Sequence, residues 1–185
     1  MSDHPIWDCR WPDPVALRVA AERVLGGLNP ERPDLNMRLS LEVRMEPPAS
    51  PTATPSALLA APWGVERIWW KAPQDMVPPI ESALSLEPDA EGRVAAGQGA
   101  LLRIEERAIP VVIAWEPETG HHFVQALLRN PRDFLNSADA LEAAAEQRHA
   151  GDKRQTPRRQ SVSQHLDKQV SRRGLFDLFR NRSEP

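Results

Sequence analysis

At 185 residues, with 41% apolar side chains, 19 prolines and no tyrosine, the chain is long enough for one domain plus extensions, with a core smaller than its length alone would allow. A single cysteine, Cys9, excludes an internal disulfide and a thiolate metal cluster within one chain, and no apolar run approaches the roughly 18 residues of a membrane span. The net charge of −3 hides a split: residues 148–185 hold ten Lys and Arg against four Asp and Glu, and residues 1–147 hold thirteen against 22, so an acidic body carries a basic tail.

Residues 1–12 read as an irregular segment anchored by Trp7 and Trp11, with acids and prolines where a secretory signal would need an apolar core. Asp13-Pro14 reads as an N-cap and first helical residue. Val15, Leu17, Ala20, Ala21, Val24 and Leu25 then recur near helical spacing until Gly26-Gly27 stops the helix. Met37, Leu39, Leu41, Val43 and Met45 alternate with polar residues, which predicts a strand with one buried and one wet face. Residues 47–55 form a Pro-rich insertion, expected to be a flexible or polyproline connector. A short apolar piece follows at 56–62. The spacing then predicts a strand over Val65–Trp70 and a short helix within 76–86 starting at Pro78-Pro79. Three strands are predicted at 100–107, 110–115 and 121–128, the last two joined by the turn Pro117-Glu118-Thr119-Gly120. Pro131 and Asp133 are expected to open a helix carrying Phe134, Leu135, Ala138, Leu141, Glu142 and Ala145, fading after Gln147. Residues 153–163 lack an apolar pattern and are expected to be disordered.

This order predicts an α+β fold: an antiparallel sheet with the helices packed on one face, followed by a disordered C-terminal tail. The domain reading is an irregular segment 1–12, an α+β domain 13–150 and a basic tail 151–185.

Chemistry-bearing residues are sparse. His121-His122 is the most tempting pair, but neighbours on a strand point to opposite faces and cannot share one metal in regular geometry. Gly97-x-Gly99 lacks the third glycine of a dinucleotide fingerprint. No nucleophile, base and orienter recur together. The expectation is a protein with no catalytic residues, no metal and no cofactor. Trp63, Trp69 and Trp70 crowd into eight residues. Trp69 and Trp70 should face opposite ways, which is expected to leave one of them outside the core as an interface anchor. The tryptophans lie in the acidic body and the bases in the tail, so no nucleic-acid groove is expected.

The most informative stretch lies near the end. Ser171-Arg172-Arg173-Gly174-Leu175-Phe176 looks like a twin-arginine export consensus, yet Asp177-Leu178-Phe179-Arg180 follows it in place of an apolar run. Such a segment is expected not to export the chain. It reads either as an imitation of a signal peptide or as a basic amphipathic element, and the latter would contact anionic membrane only weakly.

The order of elements, with Asn29-Pro30, Leu58-Leu59-Ala60-Ala61-Pro62-Trp63 and the Ser171-Arg172-Arg173 tail, resembles the NiFe-hydrogenase assembly chaperones of the HybE/HupJ type. Ala61 stands where that family prefers Thr, and the insertion at 47–55 replaces more regular sequence. The resemblance implies a non-enzymatic cytoplasmic chaperone that assists maturation of the iron–sulfur small subunit before twin-arginine export. The resemblance and the residue reading together give the expected partner-binding residues Pro62, Trp63, Trp69, Trp70, Ser171, Arg172, Arg173, Leu175 and Phe176. The alternative is a membrane-associated adaptor anchored by its basic tail.

Overall fold

The computed structural model describes residues 5–48, 50–81 and 86–152, with side chains up to residue 146. The basic tail beyond 152, and with it Ser171, Arg172, Arg173, Leu175 and Phe176, lies outside the described residues, as does the disorder expected there.

Helix α1 spans Pro14–Gly26. Its start is set as the sequence predicts: the Asp13 carboxylate accepts from the Val15 and Ala16 N–H groups at 2.8 and 3.2 Å, and Pro14 occupies a position whose N–H would be orphaned anyway. The strands are β1 (Glu42–Met45), β2 (Ser56–Ala61), β3 (Gly64–Trp69), β4 (Ile80–Glu81), β5 (Gly99–Ile104), β6 (Arg107–Glu116) and β7 (Gly120–Leu128), and helix α2 covers Ser137–Asp152. All seven strands pair antiparallel in one sheet, in the order β1-β2-β3-β7-β6-β5-β4. The sheet is two meanders, β1-β2-β3 and β4-β5-β6-β7, joined along the ladder between β3 and β7.

The antiparallel α+β fold is as the sequence predicts, but the helices do not share a face. Leu17 and Ala21 of α1 pack with Ala57, Leu59, Ala61, Ile68 and Trp70. Ala140, Leu141 and Ala144 of α2 pack with Leu58, Ala60 and Val65. Odd and even positions of β2 point opposite ways, so α1 and α2 cover opposite sides. Every residue of β2 is buried as a result. That explains why 56–62 reads as a featureless apolar piece: a strand covered on both faces has no period-2 signal.

Three other expectations change. The alternation from Met37 to Met45 forms a strand only over 42–45, because Asn36 bends the chain. Its N–H bonds the Pro62 carbonyl, and its side-chain amide donates to the Pro131 and Phe134 carbonyls, both at 2.8 Å. Leu39 therefore joins the α2 side, while Leu41 and Val43 pack on the α1 side. In place of a helix at 76–86, Ile80 and Glu81 pair with Leu102 and Leu101 as an edge strand; Pro78-Pro79 set an extended approach. The last helix starts at Ser137, after a single 3₁₀ turn at Pro131–Asp133. Asn136 caps it by accepting from the Asp139 N–H at 2.9 Å and donating to the Asp139 carboxylate.

Gly64 turns the chain between β2 and β3 at φ 150°, and a Cβ there would collide with the Leu128 carbonyl of β7. Gly64→Ala is expected to destabilise the fold by about 1–3 kcal/mol, read as a lowered denaturant midpoint with unchanged slope. An unchanged midpoint would show that the turn does not depend on this close approach.

Candidate functional site

The sequence-predicted interface residues divide sharply. Pro62 is fully buried in the turn between β2 and β3. Trp63, next to it, is half-buried and packs against the α1-side core. Trp69 and Trp70 face opposite ways as expected, but neither is outside: they are 4% and 0% exposed. Because the sheet is covered on both sides, Trp70 falls into the core under α1 and Trp69 into the core with Phe123 and Ile113. The Arg67 guanidinium stacks 3.9 Å above the Trp69 ring. Neither ring is available to a partner in this fold; Trp63 alone of the four retains surface. Pro62, Trp69 and Trp70 are core residues.

The histidines are absorbed into structure as well. His121 accepts the Asp8 N–H on Nδ1 at 2.8 Å and lies 2.9 Å from the Val94 carbonyl through Nε2. His122, on the other face, has Nδ1 at 3.0 Å from the Gly120 carbonyl and 3.1 Å from Thr119 Oγ1. Burial holds His122 down to about 4, against the Gly120 hydrogen bond that favours its charged form. Arg23 of α1 reaches the β6–β7 turn and pairs with the buried Glu116 at 2.9 Å and with Glu118. Among the described residues no three of His, Cys, Asp and Glu converge as metal ligands.

Two features are left over. Glu66, on the joining strand β3, alternates with Ile68 and Trp70 and so lies on the apolar side under α1. Burial pushes its carboxyl up to about 7, with the Trp63 indole the group that favours ionisation. The other feature is the outer side of α1. Leu17, Ala20 and Ala21 are buried, but Val15 and Val19 are 69% and 43% exposed, and Trp11 just before the helix is 71% exposed. Val15 and Val19, four apart, share one face with the Arg18–Glu22 pair. Both features carry sequence signals. The period-2 alternation of Val-Glu-Arg-Ile-Trp-Trp places Glu66 with the apolar set, and the helical spacing of Val15 and Val19 puts them opposite Leu17.

Comparison with models of known protein families, with curated proteins and with solved structures returns no match. The helices of the described residues include none long and apolar enough to cross a membrane.

Two ionisable groups, buried His122 and half-buried Glu66, predict a pH profile. His122 folds neutral, so its contribution to stability is full above the ordinary value of 6.5 and is lost as pH falls toward about 4. Glu66 folds protonated, so it costs nothing below its ordinary 4.5 and progressively destabilises as pH rises toward about 7. Each slope approaches about 1.4 kcal/mol per pH unit, and between 4.5 and 6.5 the two oppose. Stability from these groups is expected to be nearly flat there. Glu66→Gln should convert it to a rise with pH, and His122→Phe to a fall, measured by denaturant midpoints across the window. A profile unmoved by Glu66→Gln would mean that the carboxyl is ionised in the folded protein.

Proposed function

We propose that the protein is a non-enzymatic protein-binding module, acting as an assembly chaperone in the cytoplasm. The observation that carries the reading is the solvent-facing pair Val15 and Val19 on α1, with exposed Trp11 just before the helix, while polar side chains such as His121, His122 and Glu116 are already occupied within the fold. An exposed tryptophan beside two exposed valines is unfavourable to leave in water and suits a protein contact.

The finer form of the proposal names the client. The resemblance carried by Pro62-Trp63 and by the Ser171-Arg172-Arg173 tail favours the iron–sulfur small subunit of a NiFe hydrogenase, bound before its twin-arginine export. The tail would stand in for, or compete with, the client's signal. The surface that half-buried Trp63 retains suits an apolar segment that carries a cation.

The test is recovery of bound protein from the native host with the tagged full-length chain, with a Val15→Lys/Val19→Glu variant, and with a chain truncated after Ala150. The double variant changes exposed positions and should keep its stability within about 0.5 kcal/mol while losing the client. Loss on truncation alone would place recognition in the tail. Recovery of an exported iron–sulfur subunit supports the chaperone. Recovery of anionic membranes alone, abolished by salt, would replace it with the membrane-associated adaptor.

A further inference from the structure

The N-terminal segment 5–10 lies across the sheet as a strap, and one imidazole ties it down. Ile6 bridges Arg93 in parallel, with Ile6 N–H to the Gly92 carbonyl and Val94 N–H to the Ile6 carbonyl, both at 3.0 Å. At the other end Cys9 bridges Gly120, and the His121 N–H donates to the Asp8 carbonyl at 2.6 Å. Gly120 is required there: at φ 63°, any Cβ would strike the Asp8 carbonyl. Between the two anchors the His121 ring joins all three elements, from Asp8 on the strap to Val94 behind it. Trp7 lies edge-on to the His121 ring at 5.1 Å, and also packs on Phe123 at 5.9 Å. It closes over the cluster of Val94, Leu102, Ile113 and Phe123.

This geometry fixes the protonation state. A backbone N–H can only donate, so Nδ1 must be bare; a carbonyl can only accept, so Nε2 must carry the proton. A second proton could enter only at Nδ1, where it would meet the Asp8 N–H head on; turning the ring over would put carbon atoms at both positions and give up the bonds to Asp8 and Val94. The carboxylate nearest the ring is that of Asp8, close enough for the two charges to act on each other, but it is already engaged. On the strap, the Asp8 carboxylate is held by Arg10 at 3.1 Å and by the Trp115 indole N–H of β6 at 3.0 Å, while Arg10 also reaches the Pro117 carbonyl. Behind it, Arg93 stacks on Trp115 and pairs with Asp89 and Glu91. Lys71 acts on Cys9. His122, next along β7, turns to the other face. If the Asp8 carboxylate swung to the charged ring, it would abandon Trp115 and Arg10, which are themselves anchors of the strap.

We propose that the strap is a proton-operated latch with His121 as its bolt: closed while the imidazole is neutral, and released on protonation so that the apolar surface under Trp7 is uncovered. The proposal is independent of the client named above.

The test is amide exchange on the full-length protein between about pH 8 and about pH 5, corrected for the intrinsic rate, together with imidazole nitrogen shifts. At the alkaline end His121 should carry its proton on Nε2 alone. On acidification the Asp8 and Val94 amides should open by up to about tenfold per pH unit, while amides of the β3–β7 ladder hold. His121→Asn, whose side-chain oxygen sits where Nδ1 was but does not titrate, should leave strap protection flat with pH. Strap amides that stay closed until the central ladder opens would overturn the latch, as would equal opening in the Asn variant. If that variant does not fold, the native chain decides: protonation of His121 and loss of Asp8 protection must share one midpoint, and separate midpoints refute the proposal.

Discussion

The ladder between β3 and β7 is the constraint on which the rest depends. It joins the two meanders through strands that are distant in sequence, pairing Ile68 with Val124 and Trp69 with Phe123. Without it, β3 and β7 would each be the edge strand of a smaller sheet, with its backbone N–H and C=O groups unpaired on one side. With it, β3 and β7, the end strands of the two meanders, become interior strands that need cover on both sides. Helix α1 supplies one cover and α2 the other; the strap closes the remainder of the α2 side through Trp7. The small residues of β2, Ala57, Ala60 and Ala61, let the two helices approach a fully buried strand.

Polar chemistry then serves this enclosure. Asn36 ties the α1–β1 connection to the approach of α2, and Arg23 ties α1 to the β6–β7 turn. His121 ties the strap to two elements at once. Each is a buried or partly buried group whose hydrogen bonds join segments distant in sequence. Truncating one would leave its partner unsatisfied as well, at about 1–3 kcal/mol for each buried group. Glu66 differs. It is a half-buried carboxyl on the apolar side of the joining strand, pushed up to about 7 by desolvation, and together with half-buried Trp63 it gives the body a polar point in otherwise apolar surroundings.

The fold was legible wherever local signals act alone. Asp13-Pro14 and Gly26-Gly27 bound α1, and the Pro117–Gly120 turn made the β6–β7 hairpin, because caps and turns are decided by a few neighbouring residues. The candidate site was less so. The tryptophan cluster pointed to Trp69 and Trp70, which the cover on the two faces of the sheet buries, while exposed Val15 belongs to the same apolar helical run as Leu17. A count of apolar residues at helical spacing does not say which of them face in; the positions opposite Leu17 and Ala21 do.

By itself the sequence determined the element types with strong local period, the antiparallel α+β class, the opposed directions of neighbouring strand residues, and the charge split between body and tail. Those follow from backbone geometry and composition. Only the tertiary structure decided that the helices take opposite faces, that Leu39 and Leu41 part company at the Asn36 bend, and that residues 80–81 form an edge strand. It likewise decided that the two histidines bind backbone. These depend on contacts between residues roughly a hundred positions apart, such as Asn36 with Pro131 and Asp8 with His121, and no local pattern records a partner that far along the chain.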